Sequence, residues 1–269
     1  MKYIFIALWI SIGALQTVEA QVFHVLPTDR PDARMNIVVL SPPTLSKTAL
    51  LVIPGSDGSE GRVMVKGVFS AVRGGLQYLY PHADLFAAAG ITLVATGCPT
   101  DEWQSYGMCA DDYRKSDRYA QDFSKIIQFL KENHQIENFY VFGHSSGGIS
   151  SRWLSLHLQP QLNGAIHSSI MNGRAGNLAY TMPSFDMKKI QIPMLNIAHE
   201  DDQCPSTPYL TVKNYSTGNL VTVKGGGTSG PVCGNTNRHS FEGRQRGVAR
   251  AIVKWMTTSE VQTLVETDD

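Results

Sequence analysis

Phe139-Tyr140-Val141-Phe142-Gly143-His144-Ser145-Ser146-Gly147-Gly148 is the stretch whose reading decides the fold. Four apolar or aromatic residues predict a buried strand, and the run from Ile149 to His157 predicts a helix. Between them lies Gly-x-Ser-x-Gly. A chain that turns sharply from strand to helix holds its corner residue in a strained conformation, so small residues must flank it. Gly143 and Gly147 supply them. Ser145 is then expected to stand at the carboxyl end of a sheet, with the Ser146 N–H aimed at a developing oxyanion. A plain Gly/Ser turn would read alike in isolation; the flanking strand and helix separate the two.

Outward from this corner, strands alternate with helices. Ala49–Ile53 is a continuous apolar run, as in a strand buried on both faces. It leads into Pro54-Gly55-Ser56, whose backbone could lend a second oxyanion donor, with Ser56 N–H the expected one. Ile91–Ala95, 164–170, 191–198 and 220–223 read as further strands, and Val22–Leu26 with Met35–Leu40 as an edge hairpin. Helices are predicted over 81–89, 113–133 and 241–257. Residues 57–81 and 97–111 read as loops over the site, and the acidic C-terminus as frayed. This pattern implies a mostly parallel sheet of about eight strands with helices on both faces, in one domain spanning 21–269. Ligands of such sheets bind at the carboxyl ends of the strands.

The composition excludes some partners. The formal net charge of the 269 residues is zero, so nothing points to nucleic acid or an anionic membrane. Residues 1–20 carry Lys2, an apolar run from Tyr3 to Leu15 and small residues before Gln21, the form of a secretory signal peptide. The expected protein is therefore secreted or periplasmic, with no membrane anchor. The chain has four cysteines, which in an exported protein favour disulfides over metal or redox chemistry. Of the three pairings, Cys98–Cys109 would pin one loop to itself, and Cys204–Cys233 would clamp two loops together.

A serine hydroxyl needs a base to take its proton and a carboxylate to hold that base. There are eight histidines. His239 follows the last strand and precedes the last helix. The segment His199-Glu200-Asp201-Asp202-Gln203-Cys204-Pro205 follows the preceding strand and offers three carboxylates. His144 is expected beneath the serine and His167 near the pocket. His24, His82, His134 and His157 fall on edge, loop or helix positions.

On the Pro54-Gly55-Ser56 loop, the Gly143–Gly147 corner, the acidic segment and His239, the chain resembles the α/β-hydrolase superfamily over nearly its whole length. Pro54-Gly55 departs from the commoner His-Gly signature at the second oxyanion donor. The resemblance implies the order Ser, acid, His. Its spacing beyond the end of the strand selects Asp202, whereas counting back from Pro205 selects Asp201. It further implies a secreted serine hydrolase of the carboxylesterase kind, with Ser145, Asp202 and His239 catalytic and Ser146 and Ser56 in the oxyanion hole. The partner would be a small-molecule acyl substrate, and neither metal nor cofactor would be needed. A peptidase or amidase, or a binding protein that kept the fold, would carry the same marks. Oligomeric state is not legible.

Overall fold

A computed structural model describes residues 20–53, 55, 64–65, 68–69, 79–102, 109–172, 185–216 and 218–269. The expected signal segment, apart from Ala20, lies outside these residues, as do Pro54, Ser56, much of the 57–81 loop and residues 103–108.

The strands are β1 (Ala20–Pro27), β2 (Arg34–Ser41), β3 (Thr48–Ile53), β4 (Met64–Val65), β5 (Val68–Phe69), β6 (Ile91–Thr96), β7 (Asn138–His144), β8 (Gly164–Ser168), β9 (Met194–His199), β10 (Leu220–Val223) and β11 (Leu264–Val265). The α-helices are α1 (Ala83–Ala88), α2 (Asp111–Arg114), α3 (Asp117–His134), α4 (Gly147–His157), α5 (Tyr209–Tyr215) and α6 (Gln245–Thr258). The main sheet has nine strands in the order β1-β2-β6-β3-β7-β8-β9-β10-β11. β1 pairs antiparallel with β2, and β2 antiparallel with β6. From β6 to β11 all pairing is parallel.

Side chains alternate across this sheet and build two cores. Leu50, Val52, Leu93, Phe142 and Ile197 face Phe86 of α1 and Val248, Ile252 and Trp255 of α6. Leu51, Ile53, Val94, Phe139 and Val141 face Phe123, Ile126, Ile127 and Leu130 of α3 and Leu154 of α4. The inner strands are thus covered on both sides, which explains their unbroken apolar runs. After β3 the chain steps to β6 on one side, then returns to β7 on the other. In open α/β sheets ligands bind at such a reversal, here outside the carboxyl ends of β3 and β7.

Four expectations are corrected. The C-terminal tail is not frayed but adds an edge strand to the sheet. Thr222 and Val223 pair with Leu264 and Val265, and Val265 is buried. Asp268 Oδ1 accepts the Gly247 N–H at 3.0 Å. The 113–133 helix is broken at Ser116, whose side chain caps the first turn of α3 by accepting from Tyr119 N. The last helix starts at Gln245 because Phe241 and Gly243 adopt positive φ (57° and 69°). The 57–81 segment contains an antiparallel ribbon, β4 against β5. Among the described residues no helix is long and apolar enough to cross a membrane.

Candidate active site

The turn after β7 is tight. Ser145 has φ 54°, a left-handed conformation that non-glycine residues adopt at a cost of roughly 1–3 kcal/mol. Neighbouring backbone holds it there: Ser145 N–H donates to Ser168 O and Gly148 N–H donates to Ser145 O, both at 3.0 Å. A Cβ at Gly143 would lie 2.2 Å from the Gly147 carbonyl oxygen, so β7 and α4 meet only because no side chain intervenes. Ser146 immediately precedes α4, at the end where backbone N–H groups and the helix dipole present positive charge. Arg114, fully buried, donates to Ser146 O at 3.3 Å and to Ser150 Oγ at 2.7 Å, and its Nε donates to Cys109 O at 3.2 Å. A cation therefore lies against the same turn. Nothing in the sequence marked Arg114, because its role depends on the break between α2 and α3.

Gly55 stands against the serine from the β3 side. A Cβ there would come 3.0 Å from Ser145 Cβ and 3.1 Å from the His144 carbonyl oxygen. Ser56, the expected second oxyanion donor, lies outside the described residues.

The imidazole of His239 is 2% exposed and lies on a short 3-10 turn, Arg238–Ser240. Its Nε2 is 3.0 Å from Ser145 Oγ, and its Nδ1 is 3.0 Å from Asp202 Oδ2. With Asp202 ionised, Nδ1–H donates to the carboxylate, leaving Nε2 free to accept the serine proton. Asp202 Oδ1 accepts the Cys204 N–H at 2.9 Å, and Oδ2 also accepts from Thr207 Oγ1 at 2.7 Å. Thr207 Oγ1 is itself 3.2 Å from His239 Nδ1. Three donors thus converge on the carboxylate, which has about four acceptor positions. Thr207 was not singled out in the sequence, where a threonine before a proline carries no signature.

The other two carboxylates turn elsewhere. Asp201 accepts from Arg238 Nη1 at 3.3 Å with its side chain half exposed, and Glu200 pairs with Lys224 at 3.3 Å. His199, fully buried, accepts the Asp201 N–H at Nδ1 (3.0 Å) and donates from Nε2 to Gly225 O (2.7 Å). Burial holds it below the usual histidine range.

Both disulfides form as expected. Cys98–Cys109 spans 5.6 Å between Cα atoms, and Cys204–Cys233 spans 4.7 Å. The second joins the loop that carries Asp202 to the loop that leads to His239.

His144 and His167 are buried. Burial pushes His167 down to about 3, with the nearby Arg152 guanidinium adding to the effect. His167 Nδ1 lies 2.8 Å from Ser151 Oγ, between β8 and α4. Among the described residues, no group of three or more His, Cys, Asp or Glu could hold a metal ion.

No family model matches the sequence, and no curated protein matches it. Among solved structures, Est1E from Butyrivibrio proteoclasticus superposes with a TM-score of 0.59 at 14% identity, covering 87% of this chain and 97% of that one. An alpha-beta serine hydrolase homologue from Coxiella burnetii gives 0.57 at 13% identity, covering 87% and 96%. The Pyrococcus furiosus esterase Pf2001 gives 0.55 at 11% identity, covering 88% and 92%. The chain has the α/β-hydrolase fold. In that fold the nucleophile follows an inner strand at a sharp turn, and acid and base follow later strands in that order. The α/β-hydrolase topology accounts for the meeting of Ser145, Asp202 and His239: β7, β9 and β10 all point their carboxyl ends to one rim.

Proposed function

We propose that the protein is a secreted serine hydrolase that cleaves carboxylic esters. The observation that carries this reading is the unbroken hydrogen-bond chain from Ser145 Oγ through His239 to Asp202, at the carboxyl-end rim of the sheet. Ser145 attacks the acyl carbon while His239 Nε2 takes its proton. The tetrahedral oxyanion is held by the Ser146 N–H, at the positive end of α4, and by the Ser56 N–H. Collapse expels the alcohol, which receives the proton from His239, and an acyl-enzyme remains. Water, activated by the same imidazole, then releases the acid. Asp202 holds the tautomer and offsets the charge on the imidazolium. Every step is carried by the chain's own groups.

The ester preference is supported by the structural neighbours: Pf2001 is an esterase, and Est1E is also known with ferulic acid bound. Export is supported by the two disulfides and by the signal-like segment before Gln21. The test is Ser145→Ala, assayed on chromogenic esters of graded acyl length beside the matching amides. It should remain folded, lose turnover and escape labelling by a serine-directed phosphonate. Undiminished hydrolysis by Ser145→Ala would refute the assignment, and faster amide than ester turnover would refute the substrate class.

A further inference from the structure

We propose that His144 is a positioning residue for the reacting Ser145–His239 pair, tying the cradle of the serine to the turn that carries the base. The inference rests on the function proposed above. His144 ends β7 one residue before the serine, and its ring is 1% exposed. Its Nδ1 lies 3.1 Å from Ser168 Oγ. The carbonyl of that same Ser168 accepts the Ser145 N–H at 3.0 Å. On the other side, His144 Nε2 lies 3.4 Å from Ser240 Oγ. Ser240 directly follows His239, and its N–H and carbonyl are engaged by Asn237 O and Gln245 Nε2. The result is a side-chain bridge, Ser168–His144–Ser240, lying beneath the reacting pair.

The ring chemistry suits this task. A residue serving packing alone would be apolar, because an imidazole buried this deeply is costly unless both nitrogens find partners. Neutral imidazole offers one donor and one acceptor, and a serine hydroxyl serves as either. Burial drives the His144 titration well below the usual histidine range, and neighbouring His239 adds to the effect. The ring therefore stays neutral 5.1 Å from the His239 ring, centroid to centroid. His144 thus adds no positive charge against the imidazolium that forms during proton transfer. The ring also packs against Phe241, 6.1 Å away, whose left-handed backbone ends the 3-10 turn. If the Ser240 tether is lost, the turn can relax, and a small drift of His239 Nε2 suffices to misalign it with Ser145 Oγ.

The test measures kcat and KM on a soluble activated ester, with urea unfolding run in parallel, for His144→Phe, His144→Asn, His144→Gln and Ser240→Ala. His144→Phe keeps the ring and loses both bonds. It should lower kcat about tenfold or more with KM within about twofold, as expected when alignment, not binding, is damaged. Ser240→Ala should reproduce much of this loss, and adding it to His144→Phe should cost nothing further. Gln, which reaches the place of Nε2, should recover more activity than Asn, which reaches only that of Nδ1. The proposal is overturned by folded His144→Phe with kcat within about twofold of wild type, by additive losses in the double variant, or by Asn performing as well as Gln. If His144→Phe does not fold, Ser240→Ala and the Gln/Asn ranking decide by the same criteria. Unaltered His144→Phe beside inactive Ser145→Ala sinks this inference alone, whereas active Ser145→Ala sinks the function beneath it.

Discussion

Removing one disulfide at a time separates stapling from catalysis. Cys204–Cys233 closes a loop with a sequence separation of 29, and Cys98–Cys109 one with a separation of 11. The chain-entropy relation gives about 3.6 kcal/mol for the first and about 2.8 kcal/mol for the second, near 25 °C. On stability alone, Cys204→Ala with Cys233→Ala should therefore resemble Cys98→Ala with Cys109→Ala to within about 1 kcal/mol. On activity they should differ. The Cys204 N–H donates to Asp202 Oδ1 at 2.9 Å, and the Cys204 carbonyl accepts the Thr207 N–H at 3.1 Å. The cysteine that anchors the bridge is thus hydrogen-bonded to the carboxylate and to the backbone of the residue whose hydroxyl braces it. Freed from Cys233, this turn can shift, and the Asp202–His239 bond loses its fixed direction. The 204/233 double variant should lose about tenfold or more in kcat, and the 98/109 variant distinctly less. Urea titration gives the stability, and initial rates taken where both variants are fully folded give kcat. A folded 204/233 variant with wild-type kcat would refute the reasoning and reduce the bridge to a staple.

Three further outcomes are expected. Thr207→Val removes the hydroxyl that Asp202 Oδ2 accepts from at 2.7 Å; a bond to a charged group contributes about 1.5–3 kcal/mol, so stability and kcat should both fall, with Thr207→Ser restoring most of each in urea titration and ester assay. His167 is held neutral down to about 3 in the folded protein against 6.5 when free. Its folded value is lowered, so the unfolded chain binds the extra proton and stability declines as pH falls below the free value. Between about pH 7.5 and pH 5.5 this one group should account for about 1.4 kcal/mol, a share absent from His167→Asn in urea titrations at the two pH values. Deleting residues 264–269 removes β11, the buried Val265 and the Asp268 bond to Gly247, and should lower the unfolding free energy by about 3 kcal/mol while leaving KM unchanged.

Much of the architecture was legible because it is encoded locally. The runs Leu50–Ile53 and Phe139–Phe142 are apolar on both faces and end at Gly55 and Gly143, so strand and turn are written side by side. The stripe from Tyr119 to Leu130 encodes α3 just as directly. What escaped has weak local marks. β11 is two residues long, too short for alternation to register, and it is a strand only because Val223 and the carboxyl end of β10 lie beside it. α5 spans seven residues; its packed face is Tyr209, Val212 and Tyr215, too short a stripe to stand out beside Leu210, which is two-thirds exposed. The interruption before α3 was readable in retrospect from Ser116-Asp117, a capping serine followed by an acid in the first turn.

The carboxylate that meets His239 marks where local reading ends. Glu200, Asp201 and Asp202 are consecutive and chemically near-equivalent, so no property of the side chains alone chooses among them. The choice is made by a turn. Glu200 N–H donates to Val223 O at 3.0 Å, and Asp202 N–H donates back to His199 O at 3.2 Å, which curls the chain directly past the end of β9. Successive side chains in such a turn diverge. Glu200 leans toward Lys224 of the neighbouring strand end, Asp201 outward to Arg238, and Asp202 inward to His239. The Asp202 and His239 side chains are each 2% exposed, against 53% for Asp201 and 33% for Glu200. Only the innermost carboxylate is shielded enough from water for its charge to act strongly on the imidazole. Burial fixed by the turn, not residue type, distinguishes the three. In Asp202→Asn the neighbouring Asp201 carboxylate should therefore not restore kcat on an activated ester, because the backbone there points it at Arg238 and solvent.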